Sequence, residues 1–251
     1  MSVAKTDLLK LNIFTPRKKS APKEVLLFIH GGSWNSGNKN LYSFFGNRMA
    51  AKGIVTVTIN YSHSPKANYA QMAHEAALSV KWIKENIKNY GGDPDKIFVS
   101  GHSAGGHLAA LIAVDNRYFD SLKIENPIKG VVLIDGAGLD MYTYLKENTS
   151  KRDQTYFETF TKNPKLWKEA SALYQVKKGI PPFLQFLGEK TYPSILSSNK
   201  DFHKALLTID PETKLIIQKN KKHIPMISQF LAVRNNQYAV IIEFMKGVGK
   251  K

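Results

Sequence analysis

The sequence predicts an α/β protein with a doubly wound, mostly parallel sheet and a small helical cap. Three observations predict this class. Short apolar runs recur along the chain, segments with helical spacing separate them, and most of the runs are apolar at consecutive positions. Strands that alternate with helices favour a parallel sheet, and strands covered on both faces are apolar throughout. Because 251 residues can bury one full core, we predict a single domain over 1–251.

The elements follow in chain order. Residues 9–14 alternate between apolar and polar, as on an edge strand. A helix is predicted over about 69–89, where apolar residues recur three or four positions apart. Residues 104–114, with small residues near their start, predict a second helix, and residues 225–245 also look helical. The remaining runs predict strands over 25–30, 54–61, 96–100, 130–135, 182–187 and 214–218, and those over 25–30 and 96–100 are of the buried type.

The segment of about 139–178 is too long for a simple crossover between two strands, and it is rich in Tyr, Phe and Trp. It predicts a helical cap over the C-terminal edge of the sheet, the edge where such sheets bind ligands. The alternative is a peripheral helix pair that uses its aromatic side chains as ordinary core.

Composition excludes several classes of site. The chain has no cysteine, which excludes disulfides, thiolate catalysis and zinc–thiolate sites. The formal net charge of +16 comes mostly from lysine and favours a solvated basic surface over an anionic partner. No basic stripe is interleaved with aromatic residues, so we do not expect a nucleic-acid partner.

No apolar run approaches the roughly 20 residues of a membrane span, and the first residues lack the apolar stretch of a signal peptide. The compartment stays open between the cytoplasm and secretion after removal of a leader. The sequence does not indicate an oligomeric state.

The strongest chemical signal is Gly101-His102-Ser103-Ala104-Gly105, which follows a predicted strand and opens a predicted helix. This context is typical of a nucleophile elbow, a sharp turn that lifts a serine hydroxyl clear of the sheet. Glycine two positions before and after the serine gives the turn the space it needs. The helix N-terminus favours an anion that develops beside the serine. We therefore predict that Ser103 is a nucleophile.

A second motif, His-Gly-Gly-Ser-Trp at 30–34, follows the first buried strand. The backbone N–H groups of such a turn can point into the space beside the elbow. Gly32 and Ser33, together with Ala104, are the predicted donors of an oxyanion hole. The alternative is a turn that needs glycine only for its φ angles.

Together these motifs resemble the α/β-hydrolase superfamily, in its HGG-motif branch of carboxylesterases, feruloyl and acetylxylan esterase-like proteins and kynurenine formamidases. The resemblance covers nearly the whole chain. Three further stretches carry it: Asn60-Tyr61 with Ser64-Pro65, Tyr90-Gly91-Gly92-Asp93-Pro94, and Glu169-Ala170-Ser171.

The resemblance implies the order serine, acid, histidine along the chain. His223 follows the last predicted strand, where this superfamily places its base, whereas His203 lies in a helical stretch and is predicted at the surface. His30 and His102 precede the acid, and we expect them to shape the site.

The acid departs from the pattern. The superfamily places an Asp three residues after a Gly at the end of the penultimate strand, and here Thr191 stands at that position after Gly188. Threonine cannot supply a carboxylate to a histidine. Asp135, at the end of the preceding strand, is the favoured substitute, although it could equally cap a turn. Other candidates remain open: Glu189, Asp140, Asp201 and a Ser–His dyad with no acid.

The sequence therefore predicts a serine hydrolase that cleaves small carboxylic esters through an acyl-enzyme on Ser103, with no metal or organic cofactor. Two alternatives remain. One is an arylformamidase-type amide hydrolase with the same residues. The other is a hydrolase-like binding protein with impaired catalysis, which Thr191 motivates.

Overall fold

The computed structural model of the protein describes residues 9–17, 21–148 and 154–248. Seven strands form one sheet: β1 (Leu11–Phe14), β2 (Lys23–Ile29), β3 (Val55–Ile59), β4 (Gly92–His102), β5 (Ile128–Ile134), β6 (Phe183–Gly188) and β7 (Lys214–Gln218). The helices are α1 (Ser43–Ala51), α2 (Tyr69–Asn86), α3 (Ala104–Val114), α4 (Arg117–Asp120), α5 (Met141–Glu147), α6 (Gln154–Phe160), α7 (Pro193–Leu207), α8 (His223–Ser228) and α9 (Gln237–Val248). Short 3-10 helices span 39–42, 87–90, 164–166, 172–175 and 229–231.

The strand order is β1-β3-β2-β4-β5-β6-β7, and every neighbouring pair is parallel except β1 with β3. The predicted doubly wound, mostly parallel sheet is therefore confirmed. Successive residues of β2 show why its run is continuously apolar. Val25, Leu27 and Ile29 enter one core with α2 and α3, while Leu26 and Phe28 enter a second core with α1, α8 and α9.

Residues 225–245, which the sequence predicts to be helical, are helical in two pieces. Two helices, α8 and α9, occupy this region, and a 3-10 turn and residues 232–236 separate them. Asn235 accounts for the break, because its side chain donates to the carbonyl of Gln229 and accepts the N–H of Gln237 at the start of α9. The helical prediction therefore holds on both sides of the break and fails only across residues 232–236.

The segment predicted as a cap contains α5, α6 and the 3-10 helices at 164–166 and 172–175. Its aromatic residues serve in two ways. Phe160 and Trp167 are buried in the core beside α2 and α3, whereas Tyr144 and Tyr156 line an open cleft. In the described ranges of the chain, no helix has both the length and the apolar character to cross a membrane.

Candidate active site

Ser103 lies on the sharp turn between β4 and α3, with a φ of 55° in the left-handed region. Two close approaches explain the flanking glycines. A Cβ on Gly101 would lie 2.3 Å from the carbonyl of Gly105, and a Cβ on Gly105 would lie 2.0 Å from the carbonyl oxygen of Ile29. Any larger residue at either position would push the elbow off the sheet. The sequence pattern and the backbone therefore agree on a strained turn that presents the serine side chain.

The Ser103 hydroxyl faces the imidazole of His223, the first residue of α8. Ser103 Oγ and His223 Nε2 are 2.9 Å apart, although 120 positions separate the two residues. The elements that bring them together are neighbours at the C-terminal edge of the sheet, since His223 follows β7 and Ser103 follows β4. Ser103 is 9% exposed, so its hydroxyl is reachable from the cleft while most of the residue is shielded.

Asp135 directly follows β5 and is fully buried. Its Oδ2 accepts the Nδ1–H of His223 at 2.6 Å and also a hydrogen bond from the hydroxyl of Thr191. Its Oδ1 accepts the backbone N–H of Gly188 at 2.8 Å. A buried carboxylate is stable only when its oxygens are satisfied in this way. The structure thus brings together Ser103, His223 and Asp135, the three residues predicted to form the catalytic group.

The other candidate acids have different surroundings. Glu189 Oε2 accepts the backbone N–H of Asn220 at 2.7 Å. Asp140 caps the N-terminus of α5 by accepting the N–H of Thr143 at 3.0 Å, and Asp201 is exposed on α7 at the cleft wall. Among the described residues, the carboxylate that bonds to His223 is that of Asp135.

Thr191, at the position where the resemblance implied an acid, contributes a hydroxyl. The turn that follows β6 places it there, with the Thr191 N–H donating to the Gly188 carbonyl at 3.3 Å. The Thr191 hydroxyl donates to the same carboxylate oxygen of Asp135 as His223 does. Thr191 therefore stands where the resemblance implied an acid, and it holds the Asp135 carboxylate from the turn after β6.

Gly32 and Ser33 both lie in the wall of the cleft beside Ser103, with φ angles of 133° and 50°. Within the described parts of the chain, the N–H groups of these two residues have no hydrogen-bond acceptor. Ala104 is the first residue of α3, where a backbone N–H has no partner inside the helix. These three N–H groups are the donors that sequence analysis proposed for an anion.

A buried link that sequence analysis missed holds this glycine-rich turn in place. Trp34 Nε1 donates to His107 Nδ1 at 3.2 Å, and His107 Nε2 donates to the Ala170 carbonyl at 2.7 Å. Burial lowers the pKa of His107 to about 4, so the ring is neutral at pH 7. Both bonds require a proton on Nε2 and none on Nδ1. The turn, α3 and the cap segment are therefore joined through one imidazole.

His102 packs against the imidazole of His223. Their ring centroids are 4.6 Å apart at an interplanar angle of 28°, and His102 Nε2 donates to the His223 carbonyl at 3.2 Å. Burial and, to a smaller extent, the nearby His223 lower the pKa of His102 to about 3. His102 therefore packs against His223 as a neutral ring and adds no positive charge beside it.

His30 and His203 lie outside this group. Burial lowers the pKa of His30 to about 4, and its Nδ1 donates to the Gly31 carbonyl at 2.9 Å, at the base of the glycine-rich turn. His203, predicted at the surface, is half-buried on α7.

Ser103 opens into a cleft of about 1380 Å³. The wall has contributions from the glycine-rich turn, α5, Tyr156, the start of α7, and α8 with the 3-10 turn that follows it. In the described portion of the chain, no group of three or more His, Asp or Glu side chains is arranged to hold a metal ion. The arrangement can therefore supply a nucleophile, a base and anion-binding N–H groups from its own residues.

Comparison with known proteins places the fold and the family. Over 96% of its length the chain matches the apo form of Thermogutta terrifontis esterase 2, with a TM-score of 0.80, 21% identity and 90% of that chain covered. A truncated carbohydrate esterase from gut microbiota matches with a TM-score of 0.82 and 19% identity, covering 96% of this chain and 91% of that chain. The protein thus has the α/β-hydrolase fold predicted from the motifs. The model of the BD-FAE family matches residues 11–206, and the chain belongs to that family.

Two curated relatives are similar to the chain. A probable isoprenylcysteine alpha-carbonyl methylesterase of Arabidopsis thaliana is 26% identical over 239 residues, 88% of this chain and 49% of that protein. Esterase LipQ of Mycobacterium tuberculosis is 32% identical over 199 residues, 72% of this chain and 45% of that protein. The chain therefore spans about half the length of the curated relatives it matches.

Proposed function

We propose that the protein is a serine carboxylesterase in which Ser103, His223 and Asp135 form the catalytic triad. One observation carries this proposal: a continuous hydrogen-bonded path of 2.9 and 2.6 Å runs from the Ser103 hydroxyl through His223 to a buried carboxylate, at the base of an open cleft. The similar proteins described as esterases and a methylesterase support the same reaction class.

The reaction follows from the geometry. His223 Nε2 takes the hydroxyl proton as Ser103 Oγ bonds to the ester carbonyl carbon, and the carbonyl oxygen becomes an oxyanion. The N–H groups of Gly32, Ser33 and Ala104 bind that oxyanion. The intermediate then expels the alcohol, which receives the proton from His223, and the acyl group stays on Ser103. Water, deprotonated by His223, releases the acid by the same route.

Asp135 keeps the His223 imidazole in the tautomer that carries its proton on Nδ1. Its Oδ2 accepts the Nδ1–H and so leaves Nε2 free to accept the serine proton. The negative charge also stabilises the imidazolium that forms during each step. With a carboxylate on Nδ1, the departure at Thr191 no longer argues for a binding protein without catalysis. The expected partner is a small-molecule ester.

Hydrolysis of p-nitrophenyl acetate tests the proposal. The wild type should release p-nitrophenol with saturation kinetics, Ser103→Ala should lose the activity, and a serine-reactive phosphonate should label the wild type at Ser103. Ser121→Ala, an exposed serine outside the cleft wall, is the matched control and should keep both properties. A folded wild type with neither turnover nor labelling would refute the assignment. Since the same residues can attack an amide, the rate on N-formylkynurenine beside the rate on the ester decides between the two substrate classes.

A further inference from the structure

An exposed apolar patch surrounds the mouth of the cleft. Leu41, Tyr192, Ile224 and Leu231, which we call the apolar rim, are 60%, 60%, 62% and 56% exposed, and all four line the cleft. They come from three stretches of the chain, because Ile224 and Leu231 both lie in the segment formed by α8 and the 3-10 turn that follows it. Single exposed apolar residues are ordinary on protein surfaces, but a cluster around a binding cleft indicates a site that contacts apolar material.

The apolar rim continues inward to the reactive serine. Tyr42, Phe44 and Ile227 line the same cleft, and Phe44 and Ile227 also pack on the core beside α1 and α8. The Tyr42 hydroxyl accepts the N–H of Gly31 at 3.2 Å, which joins this wall to the glycine-rich turn beside Ser103. An apolar group can therefore extend from the serine to the rim and contact apolar side chains along this wall.

The position of His223 determines which half of an ester lies there. In the proposed reaction His223 gives its proton to the leaving oxygen, so the alcohol half lies beside this imidazole. Two rim residues flank it: Ile224 is the next residue of α8, and the Tyr192 ring centroid is 5.3 Å from that of His223.

The geometry points to a specificity site: the apolar rim binds the alcohol half of the substrate, and this alcohol is a long alkyl or aryl-alkyl alcohol. This inference rests on the proposed esterase function. The size of the cleft supports it, because about 1380 Å³ exceeds the roughly 300–1000 Å³ of common small-molecule sites and a short ester would leave most of it unfilled.

Two isomeric esters test the inference. Octyl acetate and ethyl octanoate have the same atoms and similar hydrophobicity, but the long chain is on the alcohol in the first and on the acid in the second. With acid release followed at concentrations below the solubility limit, octyl acetate should exceed ethyl acetate in kcat/KM by roughly 50-fold, since each half-buried methylene contributes about twofold. Ethyl octanoate should gain much less over ethyl acetate.

A matched pair of variants assigns the effect to the rim. Leu231 and Val233 are two positions apart and similarly exposed, at 56% and 54%, but only Leu231 lines the cleft. Leu231→Ser should lower the octyl acetate to ethyl acetate ratio of kcat/KM about fivefold, and Val233→Ser should leave this ratio at the wild-type value. Because both side chains are exposed, neither change removes core packing.

The outcomes separate this inference from the proposed function. If p-nitrophenyl acetate and all three alkyl esters are inert, the esterase assignment fails. If p-nitrophenyl acetate is hydrolysed but the rate follows the acyl chain, or Leu231→Ser and Val233→Ser give equal ratios, the rim assignment alone is overturned. It is also overturned if the rate on octyl acetate rises only above its solubility limit, because the rim would then contact an aggregate surface.

Discussion

Replacing Asp135 with asparagine tests the part of the triad that departs from the family pattern. The structure predicts how the amide would sit. The Gly188 N–H, 2.8 Å from Oδ1, requires an acceptor there, so the asparagine oxygen would occupy that position and its NH₂ group would face His223. His223 Nδ1 would then have to accept, which puts the imidazole proton on Nε2. In that tautomer the ring donates toward Ser103 and cannot take its proton.

The magnitude follows from this change of tautomer. The same substitution in another serine hydrolase triad lowers kcat by about 10⁴-fold, which corresponds to about 5.5 kcal/mol of transition-state stabilisation. We expect Asp135→Asn to lower kcat on p-nitrophenyl acetate by roughly 10³-fold to 10⁴-fold, with KM little changed. Because asparagine is nearly isosteric with aspartate, thermal unfolding should show a folded protein.

Two further variants make the test decisive. Glu189→Gln is the matched control, since Glu189 bonds to the Asn220 N–H and not to His223. Its kcat should stay within about twofold of wild type, because changes at exposed positions have small effects. Adding Thr191→Asp to Asp135→Asn should raise kcat by roughly tenfold or more, because the Thr191 side chain adjoins the carboxylate oxygen that bonds to His223. If Asp135→Asn retains more than a tenth of wild-type kcat, the assignment of the acid is wrong.

Two more predictions concern support of the site and acid stability. Thr191→Val removes the hydroxyl at constant volume and should lower kcat roughly fivefold with KM unchanged, as expected for the loss of one hydrogen bond of about 1 kcal/mol, whereas Thr191→Ser should keep most of kcat. Equal kinetics for Val and Ser would contradict the hydrogen-bonding role. Burial lowers the pKa of His30 and His107 to about 4 and of His102 to about 3, below the usual value of about 6.5, so the unfolded chain binds these protons first. The free energy of unfolding should therefore fall as the pH drops from about 6.5 towards 4, by up to about 1.4 kcal/mol per histidine per pH unit. Urea unfolding at pH 7 and pH 5 measures this, and equal stabilities would contradict the buried neutral state of the three rings.

The sequence predicts most of the strands because a sheet covered on both faces requires apolar residues at consecutive positions, as in β2 and β5. Ser103 and the glycine-rich turn are likewise local, since steric constraints over five residues define them. The prediction over 225–245 did not include the break between α8 and α9, because the side-chain bonds of Asn235 that interrupt the helical segment cannot be read from the sequence.

The acid and the apolar rim depend on contacts between distant parts of the chain. Asp135 ends its strand as a turn residue would, and what distinguishes it is the pair of donors from the end of β6, more than 50 positions away. The rim residues Leu41 and Leu231 have no shared sequence pattern, and they become neighbours of one cleft only when the sheet edge assembles.

The meeting of Asp135 and Thr191 on one carboxylate oxygen has an evolutionary consequence. Asp135 follows β5, Thr191 lies in the turn after the neighbouring strand β6, and the Thr191 hydroxyl bonds to the same carboxylate oxygen as His223. Two adjacent strand ends therefore offer two positions for one negative charge. A related chain with an acid at both positions would keep a negative charge near the histidine after losing either acid by a single mutation. Such a chain would be a viable intermediate, through which the position of the acid could change from one strand end to the neighbouring one. A sequence pattern that requires an aspartate at only one of the two positions would wrongly classify such descendants as inactive.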